Sequence, residues 1–309
     1  LLDLGADTNV QGGDHGTALQ AVCYSYSSRD EDACIKVAKL LIALGVDIAA
    51  QGGEHGNALN NACASKGYDG MCWYIMVELL LKNGADVNAQ GGPYNNALQT
   101  ACHYGNSDLV PLLLAWGADV HAQGGAFTTA LHAASCAAGN MKLVRLLLDR
   151  GADVNLQGGG YGSALQSACH WGHTEVVLAL LLEICPDIDV NAQGGEYGSA
   201  LQAAAWSGQA ESIKLLIEKG AHVNVRGGKY GSALNAVIIM GYWNIIKILL
   251  ENGARPDFHW RDEIDEDWLD QVQKEHGRGA VEKYRKFWEV VKRKLSGTNP
   301  DNSVWVAKT

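Results

Sequence analysis

Residues 193–225 read QGGEYGSALQAAAWSGQAESIKLLIEKGAHVNV. Ser199 precedes Ala200-Leu201 and is placed to cap a helix, because its hydroxyl accepts from an orphan N–H of the first turn. Small residues from Ala200 to Ser207 predict a short helix, and Gly208 ends it. Ala210 to Lys219 predict a second helix, with Ile213, Leu216 and Ile217 at helical spacing. Gly220 suits the left-handed position that stops it. Asn224 to Tyr230 then predict an extended finger with paired glycines at its tip. One such unit of helix, turn, helix and finger cannot bury its own apolar face, whereas stacked neighbours bury a continuous one.

The same wording recurs along the chain. Gln-Gly-Gly begins at Gln11, Gln51, Gln90, Gln123, Gln157 and Gln193, and a seventh copy reads Arg226-Gly227-Gly228. The spacings are 40, 39, 33, 34, 36 and 33 residues. Seven residues after each start stands Ala-Leu, from Ala18-Leu19 to Ala233-Leu234, and a Leu-rich stretch with Gly-Ala-Asp or a variant follows. A period near 33 residues is the signature of a repeat array.

The period, the helix pair and the LLL–x–x–GAD–V–N wording resemble the ankyrin repeat, over residues 1 to about 258. The resemblance implies an all-α solenoid: an N-terminal half unit (Leu1 to Thr8) beginning inside a longer array, then seven full units. The usual Thr-Pro-Leu-His opening departs to Ser199-Ala200-Leu201-Gln202, and only Leu131-His132 keeps the His. Gln20, Asn60, Gln99, Gln166, Gln202 and Asn235 stand at that place and retain amides that can bond between neighbouring fingers. The finger wording is similar to ankyrin arrays of fungal multidomain proteins, which often follow a nucleotide-binding signalling module.

Extra residues lengthen the first two units around Ser25–Ala33 and Ser65–Trp73, and the fifth at Cys185-Pro186-Asp187. Surface insertions of this kind cost little entropy. After Pro256 the pattern stops. Residues 262–275 carry Ile264, Trp268 and Val272, and 280–295 carry Val281, Tyr284, Phe287, Trp288 and Val291, each set on one helical face. Residues 259–309 are therefore read as a helical cap on the last unit, with a docking helix as the rival reading.

The formal charge of −10 lies entirely in residues 1–258, with 14 Lys+Arg against 24 Asp+Glu; residues 259–309 hold ten of each. An acidic body disfavours nucleic acid and anionic membranes as partners. No apolar run approaches the roughly 18 residues of a membrane span. Neither a basic leader nor a cleavage pattern opens the sequence, and cytoplasmic localisation is expected.

Chemistry is sparse. Cys23, Cys63, Cys102 and Cys169 stand twelve residues after their Gln, where other units carry Ser135, Ala205 and Ile238. A place that accepts all four residue types is a core place, and the thiols are expected to be buried and reduced. With no Cys-x-x-Cys, a zinc site lacks its usual spacing. Cys102-His103 and Cys169-His170 are adjacent on a helix, so their side chains do not face one another. The glycine pairs lack the Lys-Ser/Thr or βαβ context of a phosphate cradle. No catalytic residue, metal ligand or cofactor is assigned, and the chain is expected not to be an enzyme.

Rings carry the functional signal. Four residues after each start stand His15, His55, Tyr94, Phe127, Tyr161, Tyr197 and Tyr230. A ring there either buttresses the next finger or faces a partner. Thirteen and fourteen residues after each start, variable pairs include Tyr24, His103-Tyr104, His170-Trp171 and Trp206. By the ankyrin resemblance these lie on a concave groove that holds partners, where exposed rings act as binding anchors. The expected role is a monomeric protein-binding scaffold. The expected contacts are Tyr24, His103, Tyr104, His170, Trp171 and Trp206, with Tyr161, Tyr197 and Tyr230 beside them. The resemblance also admits the ligand-sensing end of a fungal signalling receptor. An enzyme using the groove as a pocket is the weaker alternative.

Overall fold

The computed structural model describes residues 7–24, 31–65, 71–136, 140–180, 187–255, 270, 273–274 and 276–286. The chain divides into two compact segments, Leu1–Gly160 and Tyr161–Thr309. The first holds four helix pairs: α1 (Ala18–Tyr24) with α2 (Glu31–Ala43), α3 (Ala58–Ala64) with α4 (Met71–Lys82), α5 (Ala97–Tyr104) with α6 (Leu109–Ala115), and α7 (Ala130–Cys136) with α8 (Met141–Asp149). The second holds α9 (Ala164–Trp171) with α10 (Thr174–Leu178), α11 (Ala200–Trp206) with α12 (Ala210–Glu218), and α13 (Ala233–Met240) with α14 (Trp243–Glu251). A further helix, α15, covers 278–286. Among the described residues there is no strand, and the fold is all-α as expected.

Every first helix starts on the same device. The side-chain oxygens of Thr17, Asn57, Asn96, Thr129, Ser163, Ser199 and Ser232 accept from the backbone N–H three residues on, at 2.8–3.3 Å. Each satisfies a donor the helix cannot, worth about 1 kcal/mol. Gly105, Gly172 and Gly241 close their helices in the left-handed conformation, at φ 71–78°.

Within each segment the helices form two rows. First helices pack on first helices (α1, α3, α5, α7 and α9, α11, α13), and second helices on second (α2, α4, α6 and α10, α12, α14). Small residues such as Ala203, Ala204 and Ala205 let the first helices approach closely, and all three are fully buried. Leu98, Leu131 and Leu201 anchor the core from the invariant Ala-Leu place, each buried to 2% exposure or less. Complete burial of such a side chain is worth about 2 kcal/mol.

The fingers are five-residue turns closed by backbone bonds such as Gly52 N–H to Gly56 C=O at 2.7 Å and Gly194 N–H to Gly198 C=O at 2.8 Å. Consecutive fingertips are joined by Glu54 N–H to Asp14 C=O, Ala126 N–H to Pro93 C=O, and Lys229 N–H to Glu196 C=O, at 2.8–3.1 Å. The amide at the third place of Ala-Leu-Gln sets the register, as the sequence suggested. Gln20 Nε2 donates to the carbonyls of Ala50, Gly52 and Gly56 in the next finger. Gln99 donates to those of Ala122, Gly124 and Thr128, and Gln202 to those of Gly227 and Gly231. A second ladder runs at the other end of the finger. Asn9, Asn88, Asn191 and Asn224 accept from the backbone N–H of Asp47, Asp119, His222 and Arg255 at 2.7–2.8 Å.

The tail helix α15 buries Ala280, Val281 and Tyr284, and Lys283 lies beside Gly241. Trp268, Phe287 and Trp288, expected to pack on the last unit, lie outside the described residues, as do most of the three insertions.

Candidate interaction surface

The rings at the finger place and at the end of the first helix belong to one construction. In the first segment His15 packs on Tyr24 (centroids 5.2 Å apart), and Tyr24 on His55 of the next finger (5.0 Å). His55 stacks on Tyr94 at 6.2 Å, Tyr94 meets His103 at 4.4 Å, and His103 stacks on Phe127 at 4.8 Å. A helix-end ring thus sits between two consecutive finger rings wherever it is large enough. Ala64 is not, and there the finger rings meet directly.

The second segment repeats the arrangement. Tyr161 packs on His170 (5.1 Å), His170 stacks on Tyr197 (4.5 Å), and Tyr197 stacks on Trp206 (6.1 Å). Trp206 lies nearly parallel to Tyr230, with centroids 4.6 Å apart and planes at 10°. His276 from the tail closes the stack, 5.1 Å from Trp206, with its Nε2 3.2 Å from the Tyr230 hydroxyl. Stacked pairs of this kind contribute about 0.5–1.5 kcal/mol each beyond area burial.

This geometry corrects the sequence reading of several residues. Tyr197 and Tyr230 are buried, and Trp206 is half-buried between neighbouring rings, so these three stand less open to solvent than the sequence reading expected. Tyr24, His103, His170 and Tyr161 are half-buried within the stacks. Trp171 is the expected anchor that stands in solvent, 50% exposed. It meets His170 edge-on at 5.5 Å and Tyr161 at 6.3 Å. Tyr104 holds the same place in the first segment, half-buried and edge-on to His103 at 5.0 Å and Tyr94 at 5.8 Å. Three rings escaped the sequence reading. His276 lies outside the repeat register, so no period marks it. Trp116 and Trp243 are exposed at places that are polar or varied in other repeats.

Burial sets the protonation of the stacked imidazoles. It lowers the pKa of His55, opposed by the Glu54 carboxylate, and lowers that of His170, opposed by Glu196. Both are therefore neutral stacking partners near pH 7. Cys23, Cys63, Cys102 and Cys169 are buried, and desolvation pushes their thiols far above the ordinary range, which leaves them without thiolate character. Among the described residues no group of three or more His, Cys, Asp or Glu is placed to hold a metal ion, and no helix is long and apolar enough to cross a membrane.

Comparison with known proteins gives the same architecture. The family model "Ankyrin repeats" matches in three copies, over residues 74–158, 98–194 and 131–227. Among solved structures, the crystal structure of the human ASB11 ankyrin repeat domain is 26% identical, with a TM-score of 0.59; the match covers 74% of this chain and all of that one. No curated protein matches the chain. Repeat wording, paired helices, finger ladders and these matches agree: the chain carries ankyrin repeats, and its fold is that of the ankyrin-repeat family.

Proposed function

We propose that the chain binds another protein through the exposed edges of its ring stacks, with Trp171 as the main anchor of the second segment and Tyr104 as its counterpart in the first. Ankyrin repeats are generally protein-interaction modules. The observation that carries the reading is Trp171 itself, a large ring half in solvent and held on its inner side by His170 and Tyr161. A pre-oriented aromatic loses little freedom on binding, which makes it an efficient anchor. Tyr24, His103, His170 and Tyr161 contribute their outer edges. The acidic body selects against nucleic acid, and the activity is binding rather than catalysis. Four buried thiols without disulfides fit a reducing compartment, which supports a cytoplasmic location.

The test is retention of proteins from native extract by the wild type and by Trp171→Ala, then calorimetry with the purified partner. Affinity for Trp171→Ala is expected to fall by about 30-fold, near 2 kcal/mol, with the thermal midpoint unchanged. Equal affinity for wild type and variant would remove Trp171 from the binding surface.

A further inference from the structure

The asparagine ladder at the base of the fingers changes at one joint of the first segment. Asn88 serves the next repeat twice: its side-chain oxygen accepts from Asp119 N–H at 2.8 Å, and its Nδ2 donates to the Gly117 carbonyl at 3.0 Å. Asn191 and Asn224 make the same pair of bonds in the second segment. One repeat after Asn88, the place is held by His121. Its backbone keeps the turn, because its N–H donates to Asp119 Oδ1 at 2.8 Å as that of Asn88 donates to Asp86 Oδ1. Its side chain does not continue the ladder. The ring lies beside Gly151 with a carbon nearest, Cε1 being 3.9 Å from the point where a Cβ on Gly151 would stand. The Gly151 carbonyl and the Asp153 N–H correspond to those of Gly117 and Asp119, yet neither bonds to a described residue.

A cavity of about 120 Å³ lies at this joint. Val120 and Leu156 give it apolar walls, His121 a flat one, and Asp153 the one carboxylate of its lining. Asp153 Oδ1 accepts from Asn155 N–H at 2.9 Å, which orients the carboxylate and leaves Oδ2 open. Arg150, the nearest cation along the chain, is exposed and outside the lining. Ala49 also lacks the ladder amide, but it brings no ring to the joint with Gly84 and Asp86.

We propose that this cavity is a socket for an arginine side chain of a partner protein. The proposal rests on the reading of the chain as a protein-binding scaffold, but on residues of the first segment that the ring stacks do not include. The missing ladder amide defines the guest. It must bring a donor to the Gly151 carbonyl, and the Asp153 carboxylate calls for further donors with a positive charge. A guanidinium carries all its N–H groups in one plane and accepts nothing. That plane lies on the His121 imidazole, as guanidinium groups stack on flat rings. The alkyl stem lies along Val120 and Leu156. An anionic guest would meet a carboxylate with no lysine or arginine in the lining. An apolar guest would strip the carbonyl and the carboxylate of water and return no bond. The charge of −10 in residues 1–258 favours approach of a basic partner.

The test uses the 309-residue chain and the peptide acetyl-Gly-Arg-Gly-amide, followed by the NMR amide shifts of Gly151, Ala152 and Asp153. Saturable shifts are expected there, with the lysine and citrulline analogues of the peptide each about tenfold weaker. His121→Asn returns the ladder amide to the joint. It is expected to slow hydrogen exchange at Asp153 N–H about tenfold. It is also expected to weaken the arginine peptide about tenfold, because the amide takes the acceptor the guest needs. Asp153→Asn is expected to weaken the peptide as much by removing the charge. Absence of saturable shifts in the wild type overturns the proposal. So do equal affinities for the three peptides, which would mark general attraction to an acidic surface, and so does full affinity in either variant. Trp171→Ala is expected to bind the peptide as the wild type does, so the socket and the Trp171 anchor stand or fall separately.

Discussion

At the scale of single residues, the array rests on a few places where one chemistry is required and on variants that depart from it. His132 takes the place of the register-setting amide. Its Nε2 lies 3.1 Å from the Leu156 carbonyl and its Nδ1 3.2 Å from Thr129 Oγ1, so the tautomer protonated at Nε2 satisfies both. Burial lowers its pKa to about 4, opposed by its backbone bonds at Phe127 and Leu156. The unfolded chain therefore takes up this proton near pH 6.5 and the native protein only near 4. Stability is full above 6.5 and is lost as the pH falls between those values, by an upper figure of about 3 kcal/mol. His132→Gln, the residue used by most other repeats, should flatten that part of the pH profile, measured by denaturant titration from pH 4 to 7. The second glycine of each finger serves two needs, a positive φ and contact with the finger in front. Gly53→Ala meets both penalties and Gly13→Ala only the first, at φ 66° and 63°. The variant at 53 should lose about 1–3 kcal/mol and the variant at 13 clearly less, as thermal unfolding will report. Thr128 holds φ 66° where most repeats have glycine. Nothing in its surroundings explains the choice.

At the scale of elements, the sequence made the helices legible because each signal occurs seven times. The capping residue, the Ala-Leu pair, the interfinger amide and the buried cysteine place all stand where the repeat wording puts them. What the wording does not encode is how far a ring extends into solvent, because that depends on the ring above it in the next repeat. Trp206 and Trp171 look alike as variable aromatics at the end of a first helix. Trp206 falls at the thirteenth place and is held between Tyr197 and Tyr230; Trp171 falls at the fourteenth and turns outward. A one-residue step along a helix rotates a side chain by about 100°, and that step separates a packing ring from a presented one. Trp206→Ala should therefore lower stability by about 3 kcal/mol through the cavity left between stacked rings. Trp171→Ala should leave the unfolding midpoint within experimental error. Reversal of these two results would mean that the stacks are surface decoration.

At the scale of the molecule, the described tail residues meet the last repeat of the second segment. His276 closes the ring stack, and α15 buries Val281 and Tyr284. Deleting residues 259–309 uncovers the outer faces of Trp206 and Tyr230 and leaves the final repeat without its polar cover. The truncated chain is expected to unfold several degrees lower and to aggregate, as light scattering during a thermal ramp will show. An equally stable, soluble truncation would assign the tail to docking instead. The sequence marked the helical character of this region but not His276, which belongs to no period. The ladder of amides between fingers has a consequence for descent. The side-chain Nε2 groups of Gln20, Gln99, Gln166 and Gln202 donate to main-chain carbonyls at the finger that follows. Every finger offers those carbonyls whatever its side chains, so neighbouring repeats need no matched partner residues to keep register. Unequal crossing-over between repeats can then add or drop a whole copy in one genetic event without a compensating mutation. Array length and surface chemistry are free to evolve independently.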